Sequence, residues 1–450
     1  MSTINLTTGS ISKHVSQIAL PASIGLFFQT MYNVVDSFYA GQISTLALAA
    51  LGLSFPVFLL IIAVSGGLSR GSSALIANAI GSGDEQARRD YVVQSLCLGV
   101  ITSAILGTIG VFVAEPLFRL LGADGTYLSL AMQYMIPIFC GSIFFVLVSL
   151  SNAILLANGD SKTLSKVLVV GFFLNLVLDP WFLYGGFGLP AMGVSGIAWA
   201  TVIIQFGSSI YMLSTVVRRK LIHVATWRRF LPRLDIFKKI AIQAVPASFN
   251  IMSVAIGFFV ITFCLKSYGE AAVAAFGVTT RIEQIGLLPT FGLYSAIMAM
   301  VGQNNGAKKY GRVLSSIRFC NKLGLAINIA TSVLIFIFAR SLMSIFTSDP
   351  EVIEIGVHYT HIMMLIQWSY VMTSTHLAFL QAIKRPYYGF FESVFRKILL
   401  PLLFIFLLAQ WTTLGVDGVW FGVAFANVLM TFVTIIYTWR LIGVSIRPAI

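Results

Sequence analysis

Residues 46–79 read LALAALGLSFPVFLLIIAVSGGLSRGSSALIANA, and this stretch carries a single charged side chain, Arg70. It exceeds the roughly 20 apolar residues that cross a hydrocarbon core of about 30 Å as an α-helix. Similar blocks follow along the whole chain, in which 58% of residues are apolar and only 10% are charged. The sequence therefore predicts an all-α integral membrane protein with twelve transmembrane helices, at 14–40, 46–79, 90–113, 127–156, 163–184, 193–217, 240–266, 271–303, 313–338, 353–382, 388–411 and 416–439.

The basic residues indicate how these helices cross the membrane. Of 29 Lys and Arg residues, we assign 24 to one alternate set of connections and 3 to the other. Because Lys and Arg concentrate in cytoplasmic loops, a multi-pass inner (plasma) membrane protein with both termini in the cytoplasm is expected. The same bias explains the net charge of +13, so no nucleic-acid partner is expected. The polar segment 1–13 lacks signal-peptide features, and we expect the first span to be retained.

An internal repeat relates the two halves of the chain. The tripeptide PAS at 21–23 recurs half the chain length later at 246–248, and AALG at 49–52 recurs at the same offset as AAFG at 274–277. Two positions separated by this offset are repeat counterparts. Each copy has an even number of spans, so both should enter the membrane in the same sense, related by a pseudo-twofold axis along the membrane normal.

The repeat also predicts how the domains are organised. Two lobes around a central cavity suit transport by alternating access. The predicted organisation is two six-helix lobes, 1–217 and 240–450, joined by a cytoplasmic basic linker, 218–239.

Two aspartates lie inside predicted spans of the first copy, where ionisable side chains are rare and costly. Asp36 follows Gln29 and Asn33 on one helical face, and Asp179 follows Asn175 by four residues. At a rise of about 1.5 Å per residue both fall in the outer half of the bilayer, so they can meet inside the N-terminal lobe. Two carboxylates in a low-dielectric site cannot both stay charged at low cost, so one is expected to bind and release a proton.

A sodium ion is the alternative occupant of this site, because hard cations prefer oxygen ligands. Amide and hydroxyl oxygens of Asn33, Asn175 and Thr201 are candidates to complete a Na⁺ site with Asp36 and Asp179. The coupling ion is therefore H⁺ or Na⁺, and an aspartate pair held by hydrogen bonds without any coupling role is the structural alternative. The four cysteines are scattered and no nucleophile motif is present. Neither an enzyme, a cofactor nor another metal is expected.

Other intramembrane residues carry less specific predictions. Pro21 and its counterpart in the second copy each remove a backbone hydrogen-bond donor, so a static kink or a moving hinge is expected there. Arg281 and Glu283 lie two residues apart in the eighth span and do not share a helical face, so each is expected to pair with another span. Glu392 and Arg396 are four residues apart and predict an ion pair.

The order and spacing of several short motifs resemble one known family. The chain carries NVVD at 33–36 with Gly41 beyond it, GSGD at 81–84, ANGD at 157–160 and N-x-x-x-DP at 175–180. Over nearly its whole length it resembles the multidrug and toxic compound extrusion (MATE) exporters, and among them the DinF-like branch. The resemblance implies twelve helices in two lobes and drug efflux driven by influx of H⁺ or Na⁺.

The resemblance also implies roles for individual residues. Asp36 and Asp179 match the cation-site aspartates of the N-terminal lobe, and protonation of the first-span aspartate would bend that helix, with Pro21 as the hinge. NorM-like members carry a second cation site on acidic residues of spans seven and ten. Here those two spans have no Asp or Glu within the membrane, so coupling is expected in the N-terminal lobe alone. The implied network around the aspartates comprises Gln29, Asn33, Tyr134, Asn152, Asn175 and Thr201.

The predicted function is a secondary active multidrug efflux antiporter for amphipathic, often cationic, drug-like molecules. Membrane lipids are the other expected partners, and a monomer is expected. The nearest alternative is a flippase for lipids or lipid-linked precursors. Such proteins tend to have a cationic central cavity, to which only Arg281 is expected to contribute here. A channel is disfavoured by the tandem lobes, and a membrane enzyme by the lack of a clustered ligand set.

Overall fold

The computed structural model describes residues 4–222 and 230–445. The first half of this described chain contains the helices α1 (Ile11–Ile43), α2 (Thr45–Ser82), α3 (Glu85–Leu120), α4 (Gly125–Cys140), α5 (Ser142–Ala157), α6 (Lys162–Tyr184) and α7 (Val194–Arg218). The second half contains α8 (Leu234–Leu265), α9 (Glu270–Gly306), α10 (Tyr310–Ile337), α11 (Ala339–Phe346), α12 (Pro350–Ala382), α13 (Tyr387–Val394), α14 (Leu400–Ile405) and α15 (Val416–Ser445). Two π-helical segments, Phe395–Leu399 and Phe406–Gln410, continue α13 and α14.

Nine helices of the described chain are long and apolar enough to cross a membrane: α1, α2, α3, α6, α7, α8, α9, α10 and α15. A tenth span is formed by α4 and α5, which meet at a bend of 50°. At a rise of about 1.5 Å per residue, α12 and the helical run 387–410 also have the length to span. These twelve segments coincide with the twelve spans read from the sequence, so the predicted all-α membrane fold is confirmed.

The motifs GSGD and ANGD form helix boundaries. Gly83 ends α2 with φ of 72°, and the Asp84 carboxylate accepts a hydrogen bond from a backbone N–H in the first turn of α3 (2.9 Å). Gly159 has φ of 82°, and Asp160 Oδ1 accepts from the backbone N–H of Thr163 (3.1 Å). Glycine adopts positive φ without a Cβ clash, and the carboxylate satisfies an N–H group that the helix itself leaves unpaired. Both motifs therefore set where helices begin.

The same turns recur in the second half of the chain. Lys308 is the repeat counterpart of Gly83 and has φ of 56°. Lys384 is the repeat counterpart of Gly159 and has φ of 63°. Non-glycine residues seldom adopt positive φ, so the turn geometry recurs although the glycine does not. The internal repeat thus extends from sequence to backbone conformation.

The described chain contains two compact units. The first is formed by residues 4–5 and the described residues of Ile24–Ser248, and the second by Leu6–Ser23 together with the described residues from Phe249 onward. The boundaries fall at the last residue of each PAS segment, inside α1 and inside α8. The first part of α8 therefore belongs to the first unit, and the first part of α1 belongs to the second. The linker predicted at 218–239 includes 223–229, which lie outside the described residues.

The same close helix crossing occurs in both units. In the first unit α2 packs on the first part of α8, where a Cβ on Gly67 would overlap the backbone carbonyl of Ala244. In the second unit α9 packs on the first part of α1, where a Cβ on Gly292 would overlap the backbone carbonyl of Ala19. The two glycines are repeat counterparts, and so are the two alanines. Small residues allow such close backbone approach between membrane helices.

Each unit has an apolar core of its own. In the first unit Ile138 and Val202 are buried, and a Cβ on Gly141 would lie 2.7 Å from a methyl group of Val202. The glycine therefore lets the bend between α4 and α5 approach α7 closely. In the second unit the rings of Tyr359 and Trp420 stack at 4.2 Å between centroids.

Candidate cation-coupling site

Two predicted residues come together where the C-terminal part of α1 lies against α6 in the first unit. Asp36 lies seven residues before the end of α1, and Asp179 lies five residues before the end of α6. Both are buried, with 5% and 0% of their surface exposed. The two helices also meet about two turns earlier, where the rings of Phe28 and Phe172 pack edge to face at 5.4 Å. The helix pair thus places both carboxyls in an apolar setting.

One side-chain amide joins the two carboxyls. Nδ2 of Asn175 donates to Oδ1 of Asp179 at 2.7 Å and to Oδ1 of Asp36 at 3.0 Å. Asn175 and Asp179 are one helical turn apart and therefore project from the same face of α6. An NH₂ group carries two hydrogens, so this single side chain can stabilise both carboxyls. The contact ties α1 to α6 through charged-group hydrogen bonds.

Three hydroxyl groups surround the carboxyl pair. Tyr32 donates to Oγ1 of Thr201 at 3.0 Å, and Thr201 in turn contacts Asp36. Tyr134 is 9% exposed and lies close to both carboxyls. Tyr32 was absent from the sequence prediction. Because it precedes Asp36 by four residues, helical spacing on α1 is the signal that could have found it.

Two buried oxygens of this site have no hydrogen-bond partner among the described residues, Oδ1 of Asn175 and Oδ2 of Asp179. Leaving such atoms unpaired is costly. A proton on the carboxyl pair would supply a donor, and a bare cation would accept both oxygens as ligands. The donor set consists of carboxyl, amide and hydroxyl oxygens, which suits a hard monovalent cation or a proton. The arrangement can therefore bind one positive charge.

The remaining predicted network residues lie apart from this cluster. The side chains of Gln29 and Asn33 are exposed and that of Asn152 is half-buried, and in the described chain none of them hydrogen-bonds either carboxyl. Gln29 shares its face of α1 with Asp36, but their separation of seven positions corresponds to about 10 Å along the helix. Sequence periodicity shows which residues share a face of a helix, but it does not show which of them contact neighbouring helices. Pro21 lies inside α1, which continues past it as one helix.

The second unit holds no equivalent pair of acids. The repeat counterparts of the two aspartates are Ile261 and Phe404. Glu392 and Arg396 form the predicted ion pair, and Arg396 Nη1 also donates to Oδ1 of Asn427 at 3.0 Å. Glu392 is fully buried, so this pair lies within the helix bundle. Because both charges are compensated locally, it is best explained as a structural contact.

The position of Arg396 and Lys397 corrects the count of basic residues. The 24 basic residues counted in one set of connections include Arg396 and Lys397, but these two lie in the first π-helical segment of the run 387–410. That is about 14 Å along the run from its start, inside the eleventh span. Without them 22 basic residues remain against 3, which leaves the expected orientation unchanged. Arg396 and Lys397 therefore join Arg70 and Arg281 as basic residues inside spans.

In the described chain neither Arg281 nor Glu283 forms the expected pair with another span. The Arg281 side chain is exposed, and within residues 4–222 and 230–445 it forms no hydrogen bond or ion pair. Glu283 is half-buried, and its Oε1 is a buried oxygen without a donor in the same residues. Glu283 lies close to the buried ring of Tyr359 and the half-buried ring of Tyr370 instead.

Comparison with known proteins agrees with the repeat. The MatE family model matches residues 21–181 and matches again at 246–407. The two matches begin at Pro21 and Pro246, the prolines of the two PAS segments, which are repeat counterparts. Together they cover more than half of the chain.

Individual relatives align over most of the length. The chain is 30% identical over 422 residues to the probable multidrug resistance protein NorM of Thermotoga maritima, covering 92% of this chain and 89% of that protein. It is 30% identical over 352 residues to the FAD transporter of Shewanella oneidensis, covering 78% and 77%. A solved outward-facing structure of a multidrug resistance MATE family transporter is 28% identical, has a TM-score of 0.91 and covers 98% of both chains. The chain therefore belongs to the MATE family of membrane transporters.

Proposed function

We propose that this protein is a secondary active multidrug efflux antiporter, which exports amphipathic, often cationic, compounds in exchange for H⁺ or Na⁺ by alternating access. The observation that carries the proposal is the Asn175 amide bonded to two buried carboxyls from different helices. Asp36 and Asp179 are the proposed coupling residues, with Asn175, Thr201 and Tyr134 around them. The multidrug resistance relative from Thermotoga maritima supports the substrate class.

The coupling step follows from the electrostatics of the pair. With both carboxylates ionised, two negative charges face each other in apolar surroundings and repel strongly. Binding one H⁺ or Na⁺ cancels one charge and gives the unpaired oxygens of Asn175 and Asp179 a partner. Because Asp36 belongs to α1 and the other two residues to α6, loading the site draws the two helices together. Ion binding is thereby converted into movement of α1.

Pro21 is the proposed hinge for this movement. It leaves α1 without one backbone hydrogen bond, which lowers the cost of bending there. It also lies two residues before the point where α1 passes from the second compact unit into the first. A bend at Pro21 would move the part of α1 that carries Asp36 while the start of the helix keeps its packing on α9.

The proposed domain organisation is two lobes, 1–217 and 240–450, joined by the linker 218–239. The excess of Lys and Arg in alternate connections supports a topology with both termini in the cytoplasm. The working form is a monomer in the inner membrane that needs no cofactor. Its substrates are small molecules, and its surroundings are membrane lipids.

Transport in proteoliposomes tests this function. Purified protein should move ethidium against its gradient when either a pH gradient or a Na⁺ gradient is imposed, and the effective gradient identifies the coupling ion. Asp36→Asn, which keeps the shape but cannot ionise, should lose driven transport. Scrambling of fluorescent lipid by the wild type without ethidium movement would favour the flippase instead.

Flavin dinucleotide export is a second candidate function, favoured by the relative named FAD transporter. Measuring flavins in the medium of cells that express the protein tests it. An excess of FAD over the vector control, lost in Asp36→Asn, is the expected result if FAD is a substrate.

A further inference from the structure

An arginine on the exposed face of α9 is not used by the proposed coupling site. Arg281 and Gln284, one helical turn apart, are exposed, as is Ala274 two turns before Arg281. Ile282 and Gly286 on the opposite side of the helix are buried. In the described chain the side chains of Arg281 and Gln284 form no hydrogen bond. The exposed face of this helix therefore presents a free guanidinium beside a free amide.

The depth of Arg281 in the membrane argues against an exposed face that contacts lipid tails. It lies 11 residues after Glu270, the first residue of α9, which is about 17 Å along the helix. With a hydrocarbon core of about 30 Å, this is near mid-depth, where snorkelling does not carry the charge to either surface. A lipid-facing arginine at the helix centre costs about 2.5–3.5 kcal/mol even on the mildest scale. The face must therefore meet water or a polar ligand.

The exposed arginine at this depth occurs only in the second copy of the repeat. The repeat counterpart of Arg281 is Pro56, in α2, so the first copy has no equivalent cation. Glu283, the nearest acid in sequence, lies on a different face of α9 and has one oxygen buried. The charge of Arg281 is thus left uncompensated on its own helix.

We propose that Arg281 and Gln284 form a subsite for an anionic group, a carboxylate or a phosphate, of the exported compound. Guanidinium groups bind both through paired N–H donors, and the neighbouring amide adds a further donor. The inference rests on the proposed exporter function and extends its substrates to amphipathic compounds with a negative charge. A lipid headgroup phosphate has the same chemistry and is the other source of such a group.

Parallel transport of an anionic and a cationic dye tests the subsite. In proteoliposomes the wild type should export carboxyfluorescein as well as ethidium. Arg281→Gln should lower carboxyfluorescein export about tenfold, as expected for loss of a charged hydrogen-bond pair, and change ethidium export less than twofold. Arg281→Lys, which keeps the charge, should retain most carboxyfluorescein export. Arg340→Gln, at an exposed arginine of the short helix α11, is the matched control and should change neither.

The possible outcomes separate the subsite from the exporter function. Export of ethidium but not carboxyfluorescein by the wild type would overturn the subsite and leave the exporter intact, whereas export of neither would overturn both. Equal losses of both dyes in Arg281→Gln would show a structural role for Arg281 and overturn the subsite. Scrambling of fluorescent phosphatidylglycerol that is lost in Arg281→Gln, with dye export unchanged, would assign the arginine to a lipid and also overturn it.

Discussion

Asn175 is the residue through which the two carboxyls of the proposed site are connected. Asn175→Ala removes both hydrogen bonds and leaves two acids facing each other without a shared donor. Hydrogen bonds to charged groups contribute about 1.5–3 kcal/mol, so we expect gradient-driven ethidium transport to fall at least about tenfold. Initial rates in proteoliposomes measure this. Gln133→Ala, which removes an exposed amide of the same unit, should stay within twofold of wild type.

Tyr32 offers a second test at the scale of single atoms. Tyr32→Phe removes only the hydroxyl that donates to Thr201 at 3.0 Å. Losing a neutral hydrogen bond costs about 1 kcal/mol, so the concentration of the coupling ion needed for half-maximal transport should shift several-fold. Tyr39→Phe is the matched change, because its hydroxyl makes a longer contact of 3.4 Å to a backbone carbonyl. An equal effect of the two substitutions would contradict a specific role for Tyr32.

Some residues of the site could be predicted from the sequence, because their side-chain type and their spacing on one helix identify them. Asp36, Asp179 and Asn175 are ionisable or amide side chains in apolar spans, and the resemblance to a known family matched them. Tyr32 was missed because a tyrosine in a membrane helix has many ordinary packing roles. Gln29 and Asn33 were assigned to the network from their helical face, but the structure leaves both side chains exposed.

At the scale of helices, the repeated crossing of α2 on α8 and of α9 on α1 predicts a stability effect. Gly67→Ala and Gly292→Ala each place a methyl group against a backbone carbonyl. Overpacking of this kind costs about 1–3 kcal/mol, so the melting temperature in detergent should fall for both. Gly207→Ala in α7 meets open space and should raise stability by about 0.5–1 kcal/mol. Unchanged melting of both crossing variants would show that these helices separate easily.

The positions of the helices could be predicted from the length of the apolar segments. Bends and π-helical segments within them could not. All twelve predicted spans correspond to helical segments. The bend at Gly141 was not predicted because it depends on how closely α7 approaches. The π-helical segment that carries Arg396 and Lys397 was also missed. Its positive charges looked like the end of a loop, since burial of an ion pair with Glu392 cannot be read from periodicity.

At the scale of the whole molecule, the charge bias predicts sidedness. We expect a cysteine at Lys220 to react with an impermeant maleimide only after cells are opened, and a cysteine at Phe187 to react in intact cells. Lys220 lies in the connection between α7 and α8 and Phe187 in the connection between α6 and α7, and Phe187 is fully exposed. The four native cysteines are replaced first. Labelling of Lys220→Cys in intact cells would invert the proposed topology.

The repeat supplies two similar units, whereas the paired acids occur in the first unit only. The central claim is therefore that Asp36 couples ion movement to transport and that acids of the second unit do not. Comparing Asp36→Asn with Glu283→Gln, the same acid-to-amide change in the second unit, tests this directly. The measurement is gradient-driven ethidium transport beside ethidium counterflow without a gradient. The account predicts that Asp36→Asn loses driven transport but keeps counterflow, and that Glu283→Gln keeps both within about twofold. Driven transport retained in Asp36→Asn, or lost in Glu283→Gln, would contradict it.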